Sequence, residues 1–346
     1  MPQLTVLMTV YNGATFLRET IQSVLNQSYR DFIFLILDNA STDGGRDIIK
    51  SINDPRIQLV ELPQNIGQIA ALNKGLDMIN TPMLARMDAD DIILPHRFQR
   101  QVDFLDSHPE IGICSSFAIT FEGKKEVFLK WACAPEEIKV QLLFECALAH
   151  PAVMMRTALL NQHYLRYDET LGHSEDWDLW QRAARCFPLA NIPEFLLRYR
   201  LHEKNESNRI SDRQQQAAEK LDSHSLRLLH LDTHPLRPIH RDVANTTFKA
   251  QNRGPEFLES VVQWFQVLEA ANEQHRIYQT GALRRFLKER LFVVLHYNTM
   301  FKKTALTLFF KEKLYCHVGL YRSIKFILKV VLSRFLVNNK MENQQG

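Results

Sequence analysis

The chain has 346 residues, 45% hydrophobic and 23% charged, a balance that makes a folded globular protein and excludes a disordered one. Its cysteines, Cys114, Cys133, Cys146, Cys186 and Cys316, are scattered, odd in number and without a CxxC pair, which points to reduced thiols in a cytoplasmic setting and against a structural zinc site. The net charge of +3 is unevenly spread: Leu283 to Lys340 holds 13 Lys/Arg against 2 Glu, so the residues before it are acidic on balance.

Leu4–Val10 is apolar and β-branched and reads as a strand. Thr15–Gln27 carries Leu17, Ile21, Val24 and Leu25 at helical spacing. Strand patterns follow at Phe32–Leu37, Ile57–Glu61 and Met83–Met87, with a short helix after the polar turn Asn39–Gly45 and another over Gln68–Met78. Fully apolar strands alternating with helices predict an α/β fold with a mostly parallel, Rossmann-like sheet and helices on both faces. Ile92–Ser107 reads as a helix, Ile111–Phe121 as a strand with a turn near Glu122–Lys124, and Pro135–His150 as a helix. His150–Arg156 reads as a return to the sheet, and a helix opens at Gly172–Trp180 and runs through Arg185, with Ser174 at its N-cap. Long helical patterns then take over at Arg213–His230, Glu256–Arg276, Gly281–Tyr297 and Lys303–Leu336. The expected division is a catalytic domain over 1–207 and an α-helical region over 208–346. The start of the chain has no basic n-region, so no signal peptide is expected, and no charge-free apolar run reaches the roughly 20 residues a bilayer span needs.

Arg86-Met87-Asp88-Ala89-Asp90-Asp91 places three carboxylates in four residues at the end of a predicted strand. Such carboxylates repel one another, and a hard divalent cation such as Mn²⁺ or Mg²⁺, shared with substrate phosphates, relieves that repulsion. The plainer alternative is a solvated acidic turn. Ligands of open α/β sheets bind outside the carboxyl ends of the strands, where this chain has Thr9–Gly13, Asp38–Asp43, Asn65–Gly67 and Asp88–Asp91. Neither GxGxxG nor GxxxxGK[ST] occurs, so dinucleotide and P-loop readings lose their support.

Thr5-Val6 with Tyr11-Asn12, Asp38 with Ser41-Thr42-Asp43, Asn65-Ile66-Gly67, Asn73-Lys74-Gly75, Asp88-Ala89-Asp90-Asp91, His150-Pro151 with Arg156, Glu175-Asp176, and Tyr199-Arg200 with His202 and Ser207 follow in that order over residues 4 to about 207. Together they resemble the family 2 glycosyltransferases, inverting nucleotide-sugar enzymes of the GT-A fold that build bacterial polysaccharide and O-antigen. The resemblance implies a sugar moved from a nucleotide-diphosphate donor, UDP-linked by preference, to a hydroxyl of a saccharide or lipid-linked acceptor. It implies Mn²⁺ or Mg²⁺ held by Asp90 with Asp88 and His202, and Asp176 as the base. Thr9, Tyr11, Asn12, Asp38, Asn65, Lys74, Arg86, Asp88 and Arg200 fall on the donor side, and Glu175, His150 and Trp177 on the acceptor side. Asp91 is placed behind the metal ligands. Plainer readings stand beside these: turn capping for Asp38, helix-terminus decoration for Glu175 and Asp176, an ion pair with the neighbouring aspartates for Arg86, and a structural role for His150. The chain departs from the family pattern at Ile33, Asn39 and Ala40, where Glu, Asp and Gly are common. The rival readings are a metal-dependent nucleotidyltransferase, whose phosphate loop is missing, and a non-catalytic nucleotide-binding subunit.

Within residues 283–340, Arg322, Lys325 and Lys329 fall within about 60° on a helical projection, beside apolar residues. That pattern suggests an anionic membrane surface as partner and peripheral placement on the inner face of the cell membrane, the alternative being a helix packed on the catalytic domain with its lysines reaching solvent; no nucleic-acid motif accompanies it.

Overall fold

The computed structural model describes residues 2–202, 212–244 and 253–342, with side chains at 212–215 and 332–342 outside the description. The chain divides into two compact units, Met1–Ala218 and Glu219–Gly346. The expected boundary at residue 207/208 lies outside the described residues.

In the first unit, β1 (Leu4–Val10), β2 (Phe32–Asp38), β3 (Ile57–Glu61) and β4 (Met83–Met87) pair in parallel in the order β3-β2-β1-β4. Apart from Thr9 and Ile33, every residue of β1, β2 and β4 is buried, because α1 (Ala14–Leu25), α2 (Gly45–Lys50) and α3 (Gln68–Asp77) cross over between parallel strands and cover them. α1 does so with Leu17, Ile21, Val24 and Leu25. α3 comes close enough to β1 that a Cβ on Gly75 would stand 2.5 Å from Leu7 Cδ1. Chain order reverses at β1, so the carboxyl ends of β1, β2 and β4 open on one crevice.

Beyond β4 the sheet becomes mixed. Its order continues β8-β6-β9-β5, through β6 (Ile113–Glu122), β8 (Met154–Arg156), β9 (Leu189–Arg200) and β5 (Ile92–Ile93), and β7 (Lys125–Leu129) forms a hairpin on β6. Several local expectations change here. Ile92 opens β5 and not a helix; Pro95 keeps the preceding residue out of the helical region, so α4 begins only at Arg97 (Arg97–Ser107). The helix expected over Pro135–His150 ends early, at α5 (Pro135–Gln141). Distant donors take the carbonyls beyond it: the indole N–H of Trp177 (2.9 Å) and the side-chain amide of Gln181 (3.0 Å) both donate to Leu142, and Asn191 donates to Ala147 (2.9 Å). His150 does not start a strand. His150–Ala152 is a 3₁₀ turn before β8, since Pro151 has no N–H for a ladder. α6 (Thr157–Gln162) follows, and α7 spans Glu175–Ala183. Ser174 stands at its N-cap but with φ 61° and no side-chain capping bond. The strand β9, twelve residues long, was not foreseen because Pro193 interrupts its pattern; its register on β6 shifts there, with Ile192 opposite Ser116 and Phe195 opposite Phe117, so the proline sits in a bulge.

The second unit is helical among its described residues: the rest of α8 (Asp212–Arg227), then α9 (Arg237–Ala244), α10 (Glu256–His275), α11 (Thr280–Tyr297), α12 (Lys302–Lys311) and α13 (Leu314–Glu342). The single helix expected from Lys303 is broken twice, by left-handed backbone at Lys313 (φ 52°) and by Gly319 (φ 80°, ψ 166°). The breaks let α12 and α13 fold together, bringing Phe326 to 4.8 Å from Phe309 and 5.7 Å from Phe292 between ring centroids.

Gly75→Val should destabilise the first unit by about 1–3 kcal/mol, because Leu7 is buried in the sheet and has little room to yield. Chemical denaturation measures this; an unchanged midpoint would mean that the contact between α3 and β1 is loose.

Candidate active site

At the end of β4, Asp88, Asp90 and Asp91 each offer a carboxylate oxygen within 4.8 Å of the others. Three devices hold this crowded group. Arg86, buried in β4, donates to Asp88 at 2.5 Å. Arg200, at the end of β9, donates its Nε to the Asp90 carbonyl (2.8 Å) and its backbone N–H to Asp91 Oδ1 (2.9 Å). Its guanidinium also pairs with Glu19 (2.6 Å) and lies over the rings of Phe16 and Phe121. Third, Thr20 of α1 donates to the Asp91 carbonyl at 2.8 Å. Asp91 is fully buried, and among the described residues its Oδ2 has no hydrogen-bond partner. Burial, then Asp88 and Asp90, push its carboxyl well above the usual aspartate range. His202 Nε2 stands 2.9 Å from Asp90 Oδ2. Partly exposed carboxylates at Asp88 and Asp90 with an imidazole beside them form a donor set that fits a hard divalent cation. Ser207 lies outside the described residues.

The loops after β1 and β2 brace each other. Asn12, with φ 53°, accepts from Thr42 N–H at 2.8 Å and donates its own N–H to Ser41 Oγ at 3.0 Å, while Asp43 accepts from Ala14 N–H at 2.8 Å. Thr9 is half-buried beside them and Tyr11 is exposed. Asp38 is fully buried: Oδ1 accepts from Ser41 N–H (3.2 Å), as turn capping requires, and Oδ2 takes Nε (2.9 Å) and Nη2 (2.6 Å) of Arg46. The sequence reading missed Arg46, which lies in α2 eight residues after its partner. Asn39 donates to Asn65 Oδ1 (3.0 Å) and to the Gly67 carbonyl (3.2 Å) and accepts from Ile66 N–H (3.0 Å), fastening the β3–α3 loop to the end of β2. Ala40 has φ 61°, a left-handed conformation that favours glycine.

Within the field of Arg86, His150 is buried, with Nε2 2.8 Å from the Tyr167 hydroxyl. Burial, then Arg86, pull its imidazole well below the usual histidine range, which favours the neutral ring. Tyr167, also missed, is held through its backbone by Asn73, which donates to its carbonyl (2.9 Å) and accepts from its N–H (2.9 Å). Lys74 beside Asn73 is exposed on α3. Trp177, expected on the acceptor side, is turned into the core, its indole N–H committed to Leu142. Glu175 and Asp176 open α7 and are both partly buried. Asp176 Oδ1 accepts from Trp177 N–H at 2.7 Å, and Oδ2 lies 3.6 Å from Cys146 Sγ. Burial raises the Asp176 carboxyl, against the lowering effects of Trp177 N–H, Arg86 and Cys146.

An acidic cluster at the end of β4 in an open α/β sheet, with a raised aspartate in the field of the same buried Arg86, fits a group-transfer enzyme of the α/β class. The sequence model described as Glycosyl transferase family 2 matches residues 5–163. An uncharacterized glycosyltransferase of Methanocaldococcus jannaschii is 33% identical over 220 residues, covering 61% of this chain and 74% of that protein. The O-antigen biosynthesis glycosyltransferase WbnJ of Escherichia coli is 30% identical over 217 residues, covering 58% and 81%. Among solved structures, residues 1–349 of S. aureus TarS in complex with UDP-GlcNAc superpose with a TM-score of 0.57 at 14% identity, covering 90% of this chain and 92% of that one. The mannosyltransferase PcManGT from Pyrobaculum calidifontis, in complex with GDP-Man and Mn2+, gives 0.52 at 16% identity, covering 90% and 88%. The chain belongs to glycosyl transferase family 2, and its fold is of the GT-A kind. The nucleotidyltransferase and non-catalytic readings fall with that.

Asn39→Asp, the residue common at this position in the family, should cost about 1–3 kcal/mol at neutral pH, because a carboxylate cannot donate to Asn65 Oδ1 and the Gly67 carbonyl. The introduced acid must be protonated to donate, so its folded pKa is raised. The loss is then present above the folded pKa and disappears below the unfolded value of about 3.9. Thermal unfolding against pH measures it; equal destabilisation at every pH would locate the cause elsewhere.

Proposed function

We propose that the protein transfers a sugar from a nucleotide-diphosphate donor, UDP-linked by preference, to an acceptor hydroxyl with inversion. The Asp88–Asp90–His202 group and the raised Asp176, each within the field of buried Arg86, carry the reading. Asp90 with His202, and Asp88 after release from Arg86, would hold Mn²⁺ or Mg²⁺, which when bound neutralises charge on the donor's diphosphate. TarS and PcManGT, which bind nucleotide sugars, support this use of the crevice. Thr9, Tyr11, Asn12 and Asn65 line the donor side through their loops. Asp38 is tied to Arg46, so base recognition by Asp38 requires that pair to open or Arg46 to take part. Arg200 acts as a positioning residue for the aspartate loop.

Asp176 accepts the proton of the acceptor hydroxyl as that oxygen attacks the anomeric carbon. The new glycosidic bond forms as the bond to the diphosphate oxygen breaks on the opposite face, and the nucleoside diphosphate leaves. His150 and Tyr167 hold each other within the field of Arg86. The relative named for O-antigen biosynthesis supports a saccharide or lipid-linked acceptor in surface polysaccharide assembly. Such an acceptor places the work on the cytoplasmic side, at the inner face of the cell membrane.

Asp176→Asn should reduce single-turnover transfer by ~10²-fold or more while keeping donor affinity, since the amide cannot take a proton. In the wild type, transfer needs ionised Asp176 and therefore falls as pH drops through its raised pKa; the acid limb stands above the ordinary aspartate value of about 3.9. Transfer by the amide variant at more than about a tenth of the wild-type rate would remove Asp176 from the role.

Asp90→Ala should abolish Mn²⁺-dependent UDP binding in calorimetry and leave the melting temperature nearly unchanged, because the side chain is partly exposed in the loop after β4 and packs in no core. Unaltered affinity would make the cluster an acidic turn.

A further inference from the structure

In α13, Ser323, Phe326 and Val330 are buried against the rest of the helical unit. Leu320, Tyr321, Ile324, Leu328 and Val331 point the other way and are exposed, Leu320 and Tyr321 at 77% each. At 3.6 residues per turn these five fall within one arc of roughly 100°. A contiguous apolar stripe of this kind is costly in water and marks a docking surface. Its edge is basic. Arg322 is anchored by Glu289, and Lys329 donates to the His296 carbonyl at 2.8 Å with its ammonium over the Tyr297 ring. Lys325 is exposed between them. Burial, then Lys329, Lys325 and Arg322, depress the His296 imidazole. Beyond this edge, the 13 Lys/Arg against 2 Glu over Leu283–Lys340 make the surrounding sequence cationic.

We propose that the face from Leu320 to Val331 docks the enzyme on an anionic lipid surface, with the helix lying in the plane of the interface. The apolar arc enters the acyl boundary while the adjacent cations meet anionic headgroups. Among the described residues no helix is long and apolar enough to cross a membrane, so the contact is peripheral. The proposal deepens the reading above, since it supplies the surface at which a lipid-linked acceptor is met. It also revises the pattern read from sequence: of the three clustered cations, Arg322 and Lys329 are fastened to α11, and the outward face is chiefly apolar.

Phe326 and Val330 are core residues, so the helix cannot be deleted without unsettling its unit. The test instead uses the full chain with outward substitutions, sedimented with vesicles of phosphatidylcholine alone or of equimolar phosphatidylcholine and phosphatidylglycerol. The full chain is expected to sediment with the mixed vesicles. The triple variant Leu320→Ser, Tyr321→Ser, Leu328→Ser should lose at least about tenfold in partitioning. Lys325→Glu should lose roughly tenfold or more on mixed vesicles, at about fivefold per charge unit, and nothing on phosphatidylcholine. Both variants should keep the wild-type melting temperature and soluble nucleotide-sugar binding, so a failed docking face is told apart from a failed donor site. Full chain that ignores both vesicle types makes this a protein-docking face and overturns the proposal, as does a triple variant that sediments like the wild type.

Discussion

Three carboxylates brought within 4.8 Å of one another repel by roughly 3–4 kcal/mol per pair at an effective dielectric of about 20, and the first unit is arranged around that repulsion. Each aspartate is managed differently. Asp88 has a buried guanidinium against it, Asp91 is displaced toward its neutral form by burial and by its neighbours, and Asp90 lies against His202. Such a loop would not hold its shape on strand pairing alone. It is fastened from α1 by Thr20 and from β9 by Arg200, whose guanidinium is itself sandwiched between Phe16 and Phe121. The long final strand therefore serves the acidic loop at β4, 110 residues earlier in the chain. A bound cation would compete with Arg86 for Asp88 and with Asp90 for His202, which is the exchange the proposed donor site requires.

The strands β1, β2 and β4 were legible because strands covered on both faces leave a largely apolar run. The aspartate cluster was legible for a complementary reason: charge of one sign so densely placed at a strand end needs a counterpart. What could not be read was whatever depended on partners distant in sequence. The early stop of α5 follows from Trp177, Gln181 and Asn191 capturing carbonyls that a local pattern leaves to the helix. The bulge at Pro193 hid β9, and with it the way Arg200 and His202 reach the aspartates. Arg46 was open to discovery, since a buried carboxylate at Asp38 demands a cation or several donors, but only the fold tells that Asp38 is buried.

Several residues that carry the family resemblance turn out to hold loops in place. Asn12 with Ser41 and Thr42, Asp43 with Ala14, and Asn73 with Tyr167 are side chain to backbone contacts across the mouths of adjacent loops. Arg156 caps the end of α4 through the carbonyls of Leu105 and Ile111. Backbone groups at strand ends lose their ladder partners, and short polar side chains supply substitutes. The departures at Asn39 and Ala40 follow the same logic: Asn39 supplies donors that an acid could not, and Ala40 occupies a left-handed position at a cost glycine would avoid.

Asp176 stands where two effects oppose each other. At the start of α7 the macrodipole and the Trp177 N–H favour a carboxylate, and Arg86 adds to them. Burial beside Cys146 and the core around Trp177 disfavours it and prevails, leaving the carboxyl raised. For the proposed base this outcome is useful, because a carboxylate with ordinary acidity is a weak acceptor for a hydroxyl proton, and each step toward neutral pH strengthens it. The same balance makes Arg86 central to both sides of the crevice. Its guanidinium faces Asp88, and its field also lowers Asp176 and His150. A cation that drew Asp88 away from Arg86 would leave that positive charge less neutralised toward Asp176, so occupancy of the proposed donor site would bear on the acidity of the proposed base through one buried side chain.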